Sequence, residues 1–179
     1  RQFDMSSNAL SGSLPVFADS SLSLQQLDLS NQKNGFTGSI PKDPWRFLEV
    51  LNLAGNKLTG PIPPDIRKMT TLEEFDLSNN FLSGQIPSQL GQLAGSLQVL
   101  DLANNGLSGR IPTQIGQLQG ASVILAGNRF DSSIAPLSLC IEEFDLDLAS
   151  DTKFCPVERT ALSDFYDSTK GAEWTNSTN

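Results

Sequence analysis

The stretch FDLSNNFLSGQIP, from Phe75 to Pro87, decides the architecture, because it returns along the chain. It reappears as LDLANNGLSGRIP from Leu100, LNLAGNKLTGPIP from Leu51, LDLSNQKNGFTGSIP from Leu27 and FDMSSNALSGSLP from Phe3. A decayed sixth copy, VILAGNRFDSSIAP, begins at Val123. Taking Asn8, Asn34, Asn56, Asn80, Asn105 and Asn128 as marker residues gives intervals of 22 to 26 residues. A period of this size, built on leucine and asparagine, is the mark of a solenoid whose coils stack on one another.

Each coil opens on the spacing of Leu72, Phe75 and Leu77, repeated at Leu97, Leu100 and Leu102. Side chains alternate faces along a strand, so Phe75 and Leu77 point inward while Glu74, Asp76 and Ser78 point out. One such strand per coil predicts a parallel ladder with a step of about 4.8 Å. The marker asparagines stand where the chain leaves the strand. A buried amide there needs its donors and acceptors satisfied, which stacked backbones can do. Glycines such as Gly84 permit the next bend, Ile86 returns to the core, and Pro87 ends the pairing. Two extra residues lie between Ser30 and Phe36, so the second coil is expected to bulge. Asn34 is assigned to the ladder there, with Asn31 as the alternative.

The whole phrase resembles the plant-type leucine-rich repeat, L-x-x-L-x-L-x-x-N-x-L-[ST]-G-x-I-P-x-x-L-G-x-L, over roughly residues 1–136. Repeats of this type occur in receptor-like kinase and receptor-like protein ectodomains, in polygalacturonase inhibitors and in algal and protist surface proteins. The resemblance implies an α/β solenoid: a superhelix with a parallel concave sheet, a minor second sheet beside it, and short helical or irregular convex turns. Ser132 and Ala135 replace the glycine and proline of the sixth copy, so that coil is expected to be irregular.

Beyond the repeats the character changes. Cys140 and Cys155 are the chain's two cysteines and bracket one short segment, which favours a disulfide in an oxidising compartment over two buried thiols. With Pro156 they resemble the C-terminal cap of extracellular repeat proteins, assigned here to residues 137–157. Ile141 to Leu148 alternates as a closing strand, with Phe144, Leu146 and Leu148 inward. Residues 158–179 carry ERTALSDFY with helical apolar spacing, then Gly171 and Trp174. This resembles an algal- or protist-style cap that ordinarily precedes an array. It either begins a following array or finishes this cap. Since Arg1 also opens inside a repeat, the native polypeptide is expected to extend beyond both ends. Asn176-Ser177-Thr178 is a sequon for an N-linked glycan.

The net charge is −8, and from residue 140 onward nine acidic residues stand against three basic ones. Such a field disfavours nucleic acid and anionic membranes as partners. The chain has no histidine to act as a general base, no phosphate loop and no catalytic constellation. It reads as a non-enzyme without cofactor or metal.

The outward strand positions carry the functional expectation. Asp28, Asn52, Asp76, Asp101 and Asp145 form one column with Asp4, and Glu74 and Glu143 stand in the column beside it. Neither column holds a lysine or arginine, so an acidic concave face is predicted. The leading reading is an extracellular or cell-surface module that holds a protein, peptide or glycan partner on that face. The alternative is a structural unit of a wall, coat or filament, with arrays associating end to end. Ice binding, through the hydroxyl row Ser11, Thr37, Thr59, Ser83 and Ser108, ranks last, because Asp131 interrupts it.

Overall fold

The computed structural model describes residues 1–15, 24–42 and 45–131. Two six-stranded parallel sheets run the length of these coils. The concave sheet is built from β1 (Gln2–Asp4), β3 (Gln26–Asp28), β5 (Val50–Asn52), β7 (Glu74–Asp76), β9 (Val99–Asp101) and β11 (Ser122–Ile124), in that spatial order. The second sheet takes the alternate strands: β2 (Ser11–Ser13), β4 (Gly35–Gly38), β6 (Lys57–Gly60), β8 (Phe81–Gly84), β10 (Gly106–Gly109) and β12 (Arg129–Phe130). It has as many strands as the concave sheet, so it is not a minor appendage in number.

Between the sheets lies a column of apolar side chains. Leu27, Leu51, Phe75, Leu100 and Val123 are all fully buried, as are Leu53, Leu77, Leu102, Leu58, Leu82 and Leu107. Each side chain buried in this way contributes about 1.5–3 kcal/mol by leaving water. The concave strands are only three residues long, so this stacking, rather than strand length, holds them in register.

Prolines direct the convex side. Pro63, Pro87 and Pro112 hold extended backbone at φ −71°, −69° and −63°, immediately ahead of short 3-10 helices at Pro64–Lys68, Ser88–Leu93 and Thr113–Gln117. Those helices bury Ile66, Leu90 with Leu93, and Ile115. They also stack closely: a Cβ on Gly91 would collide with the backbone carbonyl of Gln114. Upstream, Gly84 adopts φ +83°, a left-handed geometry that turns β8 toward Pro87 and disfavours any side chain.

The amide ladder sits at the exit of each concave strand. Asn80 donates to the carbonyls of Leu53, Leu77 and Ser78 and accepts the N–H of Leu58 at 3.0 Å. Asn56 does the same with Leu29, Leu53, Ala54 and the Phe36 N–H, and Asn105 with Leu77, Leu102, Ala103 and the Leu82 N–H. Asn128 serves Leu102, Leu125, Ala126 and the Leu107 N–H. In the first coil Asn8 donates to Met5 and Ser6.

In the second coil the assignment of Asn34 is corrected. Gln32 occupies the ladder: its Nε2 donates to Met5, Leu29 and Ser30, and its Oε1 accepts the Leu10 N–H at 3.0 Å. Gln32 is buried, whereas Asn34 is exposed and donates outward to the Ala9 carbonyl. Asn31 is not the ladder residue either; it takes the left-handed turn position at φ +54°, like Asn79 and Asn104. The physical reason is phase. Counted forward from the strand, the ladder falls two residues after Ser30, and the two extra residues follow it as Lys33 and Asn34.

The irregular end of the sixth coil at Ser132 and Ala135 lies outside the described residues. So do the proposed cap at 137–157 with Cys140 and Cys155, the segment 158–179, Glu143, Asp145 and the Asn176 sequon.

Removing a ladder amide strands buried backbone partners at about 1–3 kcal/mol. Gln32→Ala and Asn80→Ala are therefore expected to lower stability in urea melts far more than Asn34→Ala. Comparable midpoints for Gln32→Ala and Asn34→Ala would contradict the ladder assignment.

Candidate functional site: the concave sheet

The register of the concave sheet sets its outward columns. Gln2, Gln26, Val50, Glu74, Val99 and Ser122 align across the six strands, and so do Asp4, Asp28, Asn52, Asp76, Asp101 and Ile124. All of these strand positions are at least partly open to solvent, and none is cationic. Among the described residues, the face thus brings Asp28, Asn52, Glu74, Asp76 and Asp101 together.

The aspartates also serve the backbone. Asp4 accepts the N–H of Ser6, Asp28 that of Ser30, Asp76 that of Ser78 and Asp101 that of Ala103, all at 2.8–2.9 Å. Each closes the turn into its ladder residue. Asn52 accepts the Ala54 N–H at 3.1 Å in the same way and donates to Asp28 Oδ2 at 3.2 Å. The first five coils thus supply an acceptor oxygen at this place; Asp28 has both carboxylate oxygens engaged, whereas Asp4, Asp76 and Asp101 keep the second one for other work. Glu74, with no such duty, is exposed.

Burial acts on the charge. At Asp101 desolvation raises the carboxyl above its ordinary value of 3.8; the Ala103 N–H opposes this, and the neighbouring Asp76 charge adds to it. At the exposed Asp4 the Ser6 N–H lowers the carboxyl instead.

Two features were not singled out from sequence. Ser6, Ser30, Ala54, Ser78, Ala103 and Ala126 follow the aspartate column by two residues, and Ser30, Ala54, Ser78 and Ala103 are buried at its foot. On the other margin Gln25 donates to Glu49 at 2.7 Å and Gln98 to Glu73 at 3.4 Å, so Glu49 and Glu73 extend the acidity to the rim. Strand alternation would set the small residues outward, yet most of them are covered; the repeat period marks the rim, which a search for charge at alternate positions passes over. The hydroxyl row belongs to the second sheet, where Thr37 donates to the Gly12 carbonyl and Thr59 to that of Gly38.

Residues 47–69, 71–93 and 96–118 match the Leucine Rich Repeat family. A chain of the BIR3–SERK2 complex from Arabidopsis thaliana superposes with a TM-score of 0.60 at 39% identity, covering 72% of this chain and 68% of that one. The chain belongs to the leucine-rich repeat family. This leucine-rich repeat solenoid is also similar to the Arabidopsis receptor kinase HAESA, solved in complex with the peptide hormone IDA and the co-receptor SERK1. There the TM-score is 0.63 at 33% identity, over 72% of this chain and 22% of that one. Among curated proteins, Pollen receptor-like kinase 1 of Petunia integrifolia is 43% identical over 72 residues, 37% of this chain. The chain spans a tenth or less of the length of that kinase and of the next curated relatives. Among the described residues no helix is long and apolar enough to cross a membrane, and no group of histidine, cysteine or acidic residues is placed to hold a metal ion.

Because the folded-state value of Asp101 is raised, its charged form is penalised in the fold, and the penalty is present at neutral pH. It is lost as pH falls through the raised value toward 3.8. Asp101→Asn keeps the acceptor for Ala103, as Asn52 does for Ala54. It is expected to raise stability at neutral pH, with the gain shrinking on acidification. Denaturant melts across the acid range check this; a gain that grows on acidification would contradict it.

Proposed function

We propose that this leucine-rich repeat module is an extracellular binding domain whose acidic concave face receives a basic protein or peptide partner. The observation that supports this most directly is the column Asp4, Asp28, Asp76 and Asp101, broken only by the neutral Asn52, with Glu74 beside it and no cation in any of the described concave strands. Adjacent strands are about 4.8 Å apart, so the carboxylates reinforce one another's field and attract cationic groups. Val50 and Val99, both half-buried, interleave apolar contact. Relatives solved with a peptide hormone and a co-receptor lend the same reading support.

Exposed ion pairs are individually weak, so binding is collective and declines with salt. Binding of a lysine- and arginine-rich peptide is the direct test. Glu74→Gln with Asp76→Asn and Asp101→Asn removes charge while keeping the acceptor oxygens. It is expected to weaken binding strongly, whereas Asp65→Asn on the convex side leaves it unchanged. Loss of binding with the convex substitution, and retention with the concave set, would assign the working surface elsewhere.

A further inference from the structure

The acidic column ends before the described sheet does. In the sixth strand its place is taken by Ile124, half-buried and in register with Asp101. Val99, also half-buried, stands diagonally from Ile124, and Ser122, next to both, is the smallest side chain of its own column. Outward residues on such a diagonal lie within reach of one large side chain. This end of the concave face therefore offers apolar contact, with a carboxylate at its corner.

That corner is the one place in the described column where two unengaged acceptor oxygens stand on adjacent strands. Asp28 gives one oxygen to the Ser30 N–H and the other to the Asn52 amide. Asp76 and Asp101 are register partners, and each spends a single oxygen, on the N–H of Ser78 and of Ala103. Among the described residues nothing donates to their second oxygens. A guanidinium presents several donors in a flat fork, which suits two carboxylates side by side better than the point charge of an ammonium.

Spacing joins the two features. The concave strands are three residues long, so the face is longest across them, and an extended chain that covers it crosses the strands. With a strand step of about 4.8 Å, Ile124 lies about 7 Å from the midpoint between Asp76 and Asp101. Alternate side chains of an extended peptide share one face and repeat at about 7 Å as well. A residue that bridges Asp76 and Asp101 therefore sets its second neighbour on Ile124. In the opposite direction the second neighbour falls on Asn52, whose amide is already spent on Asp28 and Ala54.

We infer that Ile124, with Val99, is a specificity-determining position of the concave face, which selects an extended partner segment carrying an arginine and, two residues from it, a large apolar side chain. This selectivity rests on the reading of the concave face as a receiving surface. Charge attracts a basic segment without fixing where it stops. The apolar end fixes it, because a segment displaced by one residue leaves Ile124 uncovered or sets apolar surface against a carboxylate.

The test titrates the whole chain with short serine–glycine peptides, each carrying one arginine and one leucine, and reads binding by NMR, which resolves weak as well as tight constants. The leucine stands first, second or third from the arginine, on either side of it, so that both chain directions are sampled. In one direction the second position is expected to bind about tenfold tighter than the first or third, as covering part of a leucine side chain requires. Ile124→Asp restores the acid that four other strands carry, and Ala126 follows it by two residues as Ala103 follows Asp101. This variant is expected to lose the leucine preference and to favour a peptide with lysine in the leucine's place. Circular dichroism verifies its fold, and the peptide comparison on the unaltered chain stands without it. Equal binding of every leucine placement overturns the inference, and so does an Ile124→Asp chain that keeps the preference. If binding still falls with Asp76→Asn and Asp101→Asn while leucine placement is indifferent, the selectivity fails and the binding-face reading stands. Peptides that fail to bind at all, or that bind regardless of both features, overturn the two together.

Discussion

One amide per coil carries this structure. A three-residue strand cannot hold itself, and the chain must leave it, cross the core edge and start a second sheet within a few residues. That crossing exposes carbonyls from two coils and an N–H from a third place to an apolar interior. The ladder side chain meets all of them at once: Asn80 joins Leu53 and Leu77 on the concave side to Leu58 on the other. Because the amides from Gln32 onward reach into the coil before them, each of those earlier coils is completed by its successor. The leucine column supplies the larger free energy, but the amides choose the register in which that energy is collected.

With the interior settled this way, the outward positions are free to differ, though less so than they look. The aspartates of the concave face close the turns that feed the ladder, and Asn52 does so without charge. In these coils the acceptor closes the turn and the negative charge is additional, while the sixth coil, with Ile124, does without either. The cost of that charge is visible at Asp101, where burial and the Asp76 charge both raise the carboxyl. A charge held against that cost is a reason to look for a cationic group that relieves it.

Much of this was legible in the sequence. The repeat placed Phe75, Leu77 and their counterparts inward and the acidic column outward, because strand alternation has a period of two and tolerates no drift over three residues. The second coil was misread at Asn34 because glutamine and asparagine end in the same amide. An insertion can also be placed on either side of the ladder when only residue types are compared. The extra methylene of Gln32 still lets its amide reach Met5 and Leu10. Which aspartate oxygens are already engaged depends on backbone N–H directions, and no residue pattern encodes those.

The same second coil shows where this architecture accepts new chain. Lys33 and Asn34 lie between two anchored points, the amide of Gln32 and the start of β4, and both lean back on the first coil through Asn8 and Ala9. Added length there leaves the pitch of the solenoid untouched, since neither sheet loses a pairing. Loop closure grows in cost only slowly with length. That seam is accordingly a natural port for grafted loops: a place at which a recognition segment can be installed beside the second sheet without re-engineering the coils.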